Sequence, residues 1–292
     1  MKVLFSIVIA NYNYGRFLED AIVSVLNQCC PARKCPDGVS RLSLPTGEFV
    51  ELIVCDGGSV DDSVTVIKRY ADSISWWCSE KDLGQSDAFN KGFAHSIGLF
   101  LTWLNADDIF TRGALLKIRN VWMSNPSCRW ITGSSLYTDR NLIVSKCFCA
   151  HSFSDFRARY GFLSVWSPSS FFTRDLLAKA GGVDVELHYL MDIDLWHKFF
   201  DCGARYVRTR QNIFAYRRHE DSKMSGASFK KSARNLANRR KSCEERLLID
   251  LRYGLSRGLL YKLSRLLNFS VVDVLVAVVR TMKLRGKDAR QI

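Results

Sequence analysis

The chain has 292 residues, of which 47% are hydrophobic, 12% are aromatic and only five are proline. That composition excludes an extended disordered or collagen-like chain and leaves a globular protein with enough apolar residues for a full core. The net charge of +13 is concentrated, because residues 1–204 carry 20 Lys/Arg against 22 Asp/Glu while residues 205–292 carry 22 against 7.

In chain order, the first apolar run is Leu4 to Ala10. It reads as a strand rather than a signal peptide, because it is short, lacks a small-residue cleavage pattern and passes directly into the turn residues Asn11-Tyr12-Asn13-Tyr14-Gly15. A helix is expected over Arg16 to Gln28. Cys29 to Glu48, with Pro31, Pro36, Gly38, Pro45 and Gly47, reads as a surface loop insertion. Strand-length runs follow at Val50 to Cys55, Ile74 to Cys78 and Leu99 to Leu104. Helical patterns alternate with them at Asp61 to Ala71, Gln85 to Ser96 and Arg112 to Ser124. Asp61 or Asp62, and Thr111, are candidate N-caps. Such alternation predicts a parallel α/β sheet, whose ligands gather at the carboxyl ends of its strands. Those ends carry Asn11 and Tyr12, then Asp56, then Glu80 and Asp82, then Asn105, Asp107 and Asp108.

After Trp130 the pattern is less regular, with helices expected at Arg174 to Ala180 and Asp192 to Cys202 and a strand at Ile213 to Tyr216. From Ser228 the chain reads as helical, first cationic through Lys230, Lys231, Arg234, Arg239, Arg240 and Lys241, then apolar from Leu259 to Leu284. Leu266 to Val279 is too short to span a bilayer and contains Asp273, so no transmembrane helix is expected. The predicted division is an α/β domain over 1–227, with nucleotide-side (1–110) and acceptor-side (111–227) parts, and a helical extension over 228–292. That extension is suited to an anionic membrane surface, or to packing on the domain or a second copy of the chain. Its charge alone would also suit nucleic acid. Ten cysteines without a paired C-x-x-C frame indicate reduced, cytosolic usage, and the group Cys29, Cys30, Cys35 lacks the second half of a zinc set.

The strongest local feature is Trp103-Leu104-Asn105-Ala106-Asp107-Asp108, a hydrophobic strand running into two adjacent acids. Burying both unpaired would be costly, and Mg²⁺ or Mn²⁺ would relieve that cost while keeping positions open for phosphate oxygens. Asp56-Gly57-Gly58 supplies an acid at a strand end followed by glycines that permit a tight turn.

Together these segments resemble the family 2 glycosyltransferases, which have the GT-A fold. The matching blocks are Ser6 to Gln28, Glu51 to Ser63, Ser79 to Phe93, Leu101 to Ile109 and Gly181 to Phe199, and the resemblance covers residue 4 to about 220. It implies a Rossmann-like, mixed but mainly parallel sheet flanked by helices. It also implies a nucleoside diphosphate sugar donor, a divalent metal (Mn²⁺ or Mg²⁺), inversion at the anomeric carbon, and a glycan or lipid-linked glycan acceptor of the surface-polysaccharide kind. By the same resemblance Tyr12, Asp56 and Asp82 surround the nucleobase, with Asn11 also among the donor-binding residues, Asp107 meets the ribose and Asp108 the metal. Asp192 corresponds to the general base, and Arg217 and His219 to contacts of the diphosphate or acceptor; Asp194, two residues on, points elsewhere on a helix and reads as a cap or structural acid. Asn105 and Met191 stand where many members have acids. The expected location is cytoplasmic, peripheral at the inner face of the membrane. Rival readings are a nucleic-acid-binding protein, which leaves the strand-end acids without a role, and an inactive sugar-nucleotide-binding scaffold.

Overall fold

The computed structural model describes residues 2–160, 163, 165–222, 233–255 and 271–292. All nine residues of β1 (Val3–Asn11) are buried. A strand covered on both faces shows an unbroken apolar run rather than alternation. Asn13 then takes a left-handed φ of 56°, and α1 (Gly15–Leu26) turns Phe17, Leu18, Ala21, Ile22 and Val25 into the core.

Cys29 to Glu48 corrects the sequence reading. Instead of a loop it contains a β-hairpin, β2 (Cys30–Lys34) and β3 (Ser40–Ser43), with Gly38 at a φ of 80° in its turn. The hairpin joins β4 (Phe49–Asp56) antiparallel through Leu42↔Val50 and Ser43↔Phe49. Arg41 on β3 is 5% exposed and reaches Asp37 at 2.6 Å and Glu51 on β4 at 3.4 Å. β2 forms the margin of the sheet and is mostly solvated, so no apolar alternation marks it as a strand.

The remaining elements follow the expected alternation: α2 (Ser63–Arg69), β5 (Trp76–Ser79), α3 (Gln85–Ala94), β6 (Phe100–Asn105), β7 (Ile109–Phe110) and α4 (Ala114–Ser124). Asp61 accepts from Ser63 N at 3.0 Å and from Gly15 N at 2.9 Å, so one carboxylate serves the starts of α2 and α1. Thr111 is not the cap of α4. Gly113, at φ 69°, precedes that helix, and the Thr111 hydroxyl donates to the carbonyl of Asn212 at 2.7 Å. The following part of the chain comprises β8 (Trp130–Thr138), β9 (Val144–Phe148), α5 (Asp155–Arg159), β10 (Ser170–Thr173), α6 (Arg174–Ala180), α7 (Met191–Asp201) and β11 (Val207–Arg217). Two helices of the C-terminal extension are described, α8 (Ala233–Arg252) and α9 (Val271–Leu284).

Among the described residues eleven strands form one sheet in the order β2-β3-β4-β1-β6-β10-β8-β11-β7, with β5 beside β4 and β9 beside β8. The stretch β5-β4-β1-β6 is parallel, whereas β10 runs antiparallel to β6 and β8. Ile7 and Ile9 of β1 pack on one side with α1, α2 and α4. Val8 and Ala10 pack on the other with α3, α6 and α7, where the indoles of Trp103, Trp196 and Trp130 stack in series at 5.7 and 5.2 Å.

The extension returns to the domain. On α8, Arg252 reaches Asp194 at 2.6 Å and Asp184 at 2.8 Å, and Ile249 is buried. On α9, Asp273 is 1% exposed and pairs with Arg208 at 2.8 Å and Arg210 at 2.9 Å on β11. Beyond α9, Gly286 N donates to Val144 O and Ala289 N to Leu142 O, each at 2.9 Å. The expected cations Lys230 and Lys231 and the apolar stretch 259–270 lie outside the described residues. Among the described residues no helix is long and apolar enough to cross a membrane.

Candidate active site

The register of the parallel strands aligns Asn11 with Asp56, Ala10 with Asn105 and Asp56 with Ser79, which sets four strand ends along one rim. Asp56 ties the ends of β1, β4 and β5 together. Its Oδ1 accepts from Asn11 Nδ2 at 2.6 Å and Ser59 Oγ at 2.5 Å, and its Oδ2 from Ser59 N at 2.9 Å and Ser79 Oγ at 2.6 Å. With both oxygens engaged and only 2% exposure, Asp56 shapes the rim. The Oδ1 of Asn11 is buried without a partner. Tyr12 stands 59% exposed beside them, a flat aromatic surface at the strand end. Asp82 folds over Gly57, where an added Cβ would lie 2.7 Å from its carboxylate, so a larger residue there would displace the Asp82 side chain. Burial holds the Asp82 carboxyl above the usual range, with the charges of Asp87 and Asp56 adding to it and the Gly84 N–H opposing it.

The two acids after β6 have different environments. Asp107 is 14% exposed, and its Oδ2 lies 3.0 Å from Nε2 of His219. The His219 ring is enclosed between Phe17, at a centroid distance of 4.4 Å, and Tyr14, at 5.7 Å, and its Nδ1 has no partner. Asp108 is fully buried; its Oδ1 accepts the Arg217 backbone N–H at 2.9 Å and its Oδ2 the Asn105 amide at 2.8 Å. Burial, reinforced by the charge of Asp107, pushes the Asp108 carboxyl well above the carboxylate range. Asn105 in turn accepts from Gln85 Nε2 at 2.8 Å. Arg217 sends its guanidinium to Asp20, at 2.7 Å, and over the Phe17 ring, whereas His219 meets Asp107.

Asp192 sits in the first turn of α7 but is not its cap, since Leu190 precedes the helix. The Ser167 hydroxyl donates to Asp192 Oδ2, and the Ile193 N–H donates to Oδ1 at 2.8 Å. Burial holds the Asp192 carboxyl above its ordinary value, opposed by the Ser167 and Ile193 donors. Trp166, next to Ser167, meets Tyr137 edge-on at 5.4 Å, and the Tyr137 hydroxyl feels the charge of Asp108. Asp194 faces away and is fully buried, ion-paired to Lys198 at 3.0 Å and bonded to Arg252 and Tyr253.

A model of the family described as Glycosyl transferase family 2 matches residues 6–177. The chain belongs to glycosyl transferase family 2. This family 2 chain is 32% identical over 123 residues to an uncharacterized glycosyltransferase of Nostoc sp., covering 41% of the chain and 33% of the relative. It is 26% identical over 221 residues to an uncharacterized glycosyltransferase of Rickettsia prowazekii, covering 70% and 60%. It thus spans from a third to three fifths of the length of these curated relatives. In fold it resembles S. aureus TarS 1–349 in complex with UDP-GlcNAc (TM-score 0.58, 13% identity, covering 98% and 84%). It also resembles the mannosyltransferase PcManGT from Pyrobaculum calidifontis in complex with GDP-Man and Mn²⁺ (TM-score 0.54, 13% identity, covering 97% and 81%). These likenesses establish the GT-A arrangement of the sheet and helices.

Among the described residues no three His, Cys, Asp or Glu side chains form a ready cation cage. The Asp107 and His219 pair nevertheless fits a divalent cation, offering one carboxylate oxygen and one imidazole nitrogen and leaving positions for diphosphate oxygens and water. Asp108 fits poorly as a direct ligand, because both of its oxygens are committed inside the protein.

Sequence reasoning missed three contributors. Ser167 has no motif around it. Gln85 was read only as a helix start. Glu245 lies on the extension, yet its carboxylate accepts the backbone N–H groups of His188 and Tyr189 at 2.8 Å and Leu190 at 2.9 Å, capping the approach to α7. Only the resemblance pointed to His219.

Proposed function

We propose that this chain transfers a sugar from a nucleoside diphosphate sugar to an acceptor hydroxyl with inversion. The observation that carries the reading is the presence of two contrasting acid environments in one domain. Asp107 is matched with an imidazole at the strand end, and Asp192 is a desolvated carboxyl held by a single serine hydroxyl and its own helix. Tyr12 would stack on the base, Asp82 and Asn11 would contact base or ribose, and Asp56 would hold the rim in shape.

When bound at Asp107 and His219, a divalent cation would supply charge stabilisation to the departing diphosphate. Asp192 would accept the proton of the acceptor hydroxyl, its elevated proton affinity making it a stronger base than a solvated carboxylate. The acceptor hydroxyl would take over the place of the Ser167 donor on Oδ2. A single in-line displacement by that oxygen inverts the anomeric centre without a covalent sugar intermediate. The transition state resembles an oxocarbenium ion, as in glycoside hydrolysis.

The same reading extends to an anionic membrane surface carrying a lipid-linked acceptor. On α9, Leu275, Val278, Val279 and Met282 are 39–76% exposed together with Val274, at helical spacing on one face. Asp273 and Thr281 hold other parts of the helix on β11 and β9. Lys283, Arg285 and Lys287 continue past the stripe and are exposed, the charge complement of an anionic leaflet.

The test is a thermal-shift screen of nucleoside diphosphates with and without Mn²⁺, followed by turnover of the matching sugar nucleotide. A ligand bound only by the native state raises its apparent stability. One nucleoside diphosphate is expected to stabilise the protein in a metal-dependent manner; no shift with any of them would overturn the donor assignment.

A further inference from the structure

A pocket of about 280 Å³ lies beside the strand-end rim, sharing Phe17 with the enclosure of the His219 ring. Four arginines line it, Arg16, Arg140, Arg217 and Arg290, with Phe17 and one carboxylate, Asp20. None of Tyr12, Asp56, Asp107 or His219 contributes to it. We propose that this pocket binds a phosphate-bearing ligand, distinct from the donor diphosphate.

The floor is built. The Arg217 side chain is 4% exposed, braced by Asp20 at 2.7 Å and by the Phe17 ring at 4.8 Å. Its Nε is buried without a hydrogen-bond partner. A buried guanidinium N–H left without an acceptor is unusual, and it shows that the partners of Arg217 do not use all of its donors. Asp20 is the one carboxylate in the lining and offsets Arg217, while the other three arginines are balanced by carboxylates outside the lining.

Those three form the rim, and each has a carboxylate partner: Arg16 with Asp221, Arg140 with Glu220 at 2.8 Å and Arg290 with Asp288 at 2.6 Å. The arginine side chains are 45–54% exposed, so these solvated pairs exchange easily. The partner carboxylates do not line the pocket. Each guanidinium carries five donors in a planar fork, more than its one partner consumes. Several forks around a small volume match the terminal oxygens of a phosphate better than the two oxygens of a carboxylate. The phosphate could be carried by a soluble molecule or by a lipid headgroup.

Calorimetric titration of the full chain with inorganic phosphate, in EDTA and without nucleotide, tests the site. The chain is expected to bind one phosphate, and Arg140→Ala with Arg290→Ala to weaken it by at least tenfold. Both residues are half-exposed, and circular dichroism checks the fold. Arg290→Lys keeps the charge without the fork and should give an intermediate loss. Mn²⁺-dependent nucleotide binding, measured on the same double variant, is expected to stay at the parental level. Absence of saturable phosphate binding, parental phosphate affinity in the double variant, or a parallel loss of nucleotide binding would overturn the proposal. Flotation on phosphatidylcholine vesicles containing phosphatidic acid then separates the sources. Reduced flotation of the double variant supports a lipid-borne phosphate, and parental flotation with lost phosphate binding supports a soluble one.

Discussion

The side-chain amide of Asn105 donates to Oδ2 of the fully buried Asp108 at 2.8 Å while its carbonyl oxygen accepts from Gln85 at 2.8 Å. The asparagine bridges a donor and an acceptor, which a carboxylate cannot do when ionised. Asn105→Asp would remove one of the two donors to Asp108 and set a second negative charge beside it. The expected cost is about 1–3 kcal/mol at neutral pH, the range for an unmade buried polar contact. A lowered thermal midpoint relative to the parent checks this; an unchanged midpoint would show that the bridge contributes nothing.

The neighbouring acid predicts a different response. Asp107→Asn and His219→Ala should each remove Mn²⁺-dependent nucleotide affinity, because the proposed cation loses one of its two protein ligands. Asp108→Asn should mainly lower thermal stability, since it disturbs the contacts that fix Arg217 and Asn105. Calorimetry and melting curves on the three variants separate the assignments. Full metal-dependent affinity in both Asp107→Asn and His219→Ala would return the ligand role to Asp108 or another residue.

This contrast shows what could be read from the sequence. The pattern of a hydrophobic strand followed by acids located the end of β6, because burial on both faces leaves an unmistakable apolar run. Which of two consecutive acids faces the cleft depends on the local direction of the chain in the turn, and sequence spacing cannot fix that direction. His219 and Glu245 reach their partners only through the return of β11 and the packing of α8. The β2-β3 hairpin escapes sequence reading because its strands are short, β2 lies at the half-exposed margin where apolar alternation has no energetic reason to appear, and β3 buries the charged Arg41.

For Asp192, replacement by Asn should leave nucleotide affinity nearly unchanged and reduce turnover by on the order of 10²-fold or more. Parental turnover would dismiss it as the base. Ser167→Ala gives a separate readout in the pH profile. The serine hydroxyl lowers the proton affinity of Asp192, against the elevation caused by burial. Removing that hydroxyl raises the Asp192 pKa further. Activity requires the ionised form and is lost as pH falls through that pKa, so the acid limb of kcat/KM, which reports the free enzyme, should move to higher pH. An unmoved limb would show that the hydroxyl does not tune the base.

Glu245 receives three consecutive backbone N–H groups just before α7. Glu245→Ala leaves them to solvent and removes a tie between α8 and the acid-bearing helix. Hydrogen exchange at residues 188–190 should accelerate, and stability should fall by about 1–3 kcal/mol, as for charge-assisted bonds of this kind. Parental exchange rates at these amides would mean that the loop is held by other contacts.

The apolar stripe of α9 supports a prediction that separates membrane contact from folding. Val274, Leu275, Val278, Val279 and Met282 face outward, whereas Asp273 and Thr281 secure the helix to the domain. Substituting the outward residues should therefore spare the fold. Each exposed side chain contributes by burial into the interfacial region, and each nearby lysine or arginine adds roughly 1 kcal/mol of attraction to an anionic leaflet. Leu275→Glu with Met282→Glu replaces burial with repulsion and should abolish flotation on acidic vesicles while leaving the thermal midpoint within about 1–2 °C of the parent. High salt should weaken the parental interaction by screening the cations without removing the apolar contribution. If the double variant floats like the parent, the stripe is not the membrane face. If the parent self-associates and the variant is monomeric without any change in flotation, the same stripe is a subunit contact instead.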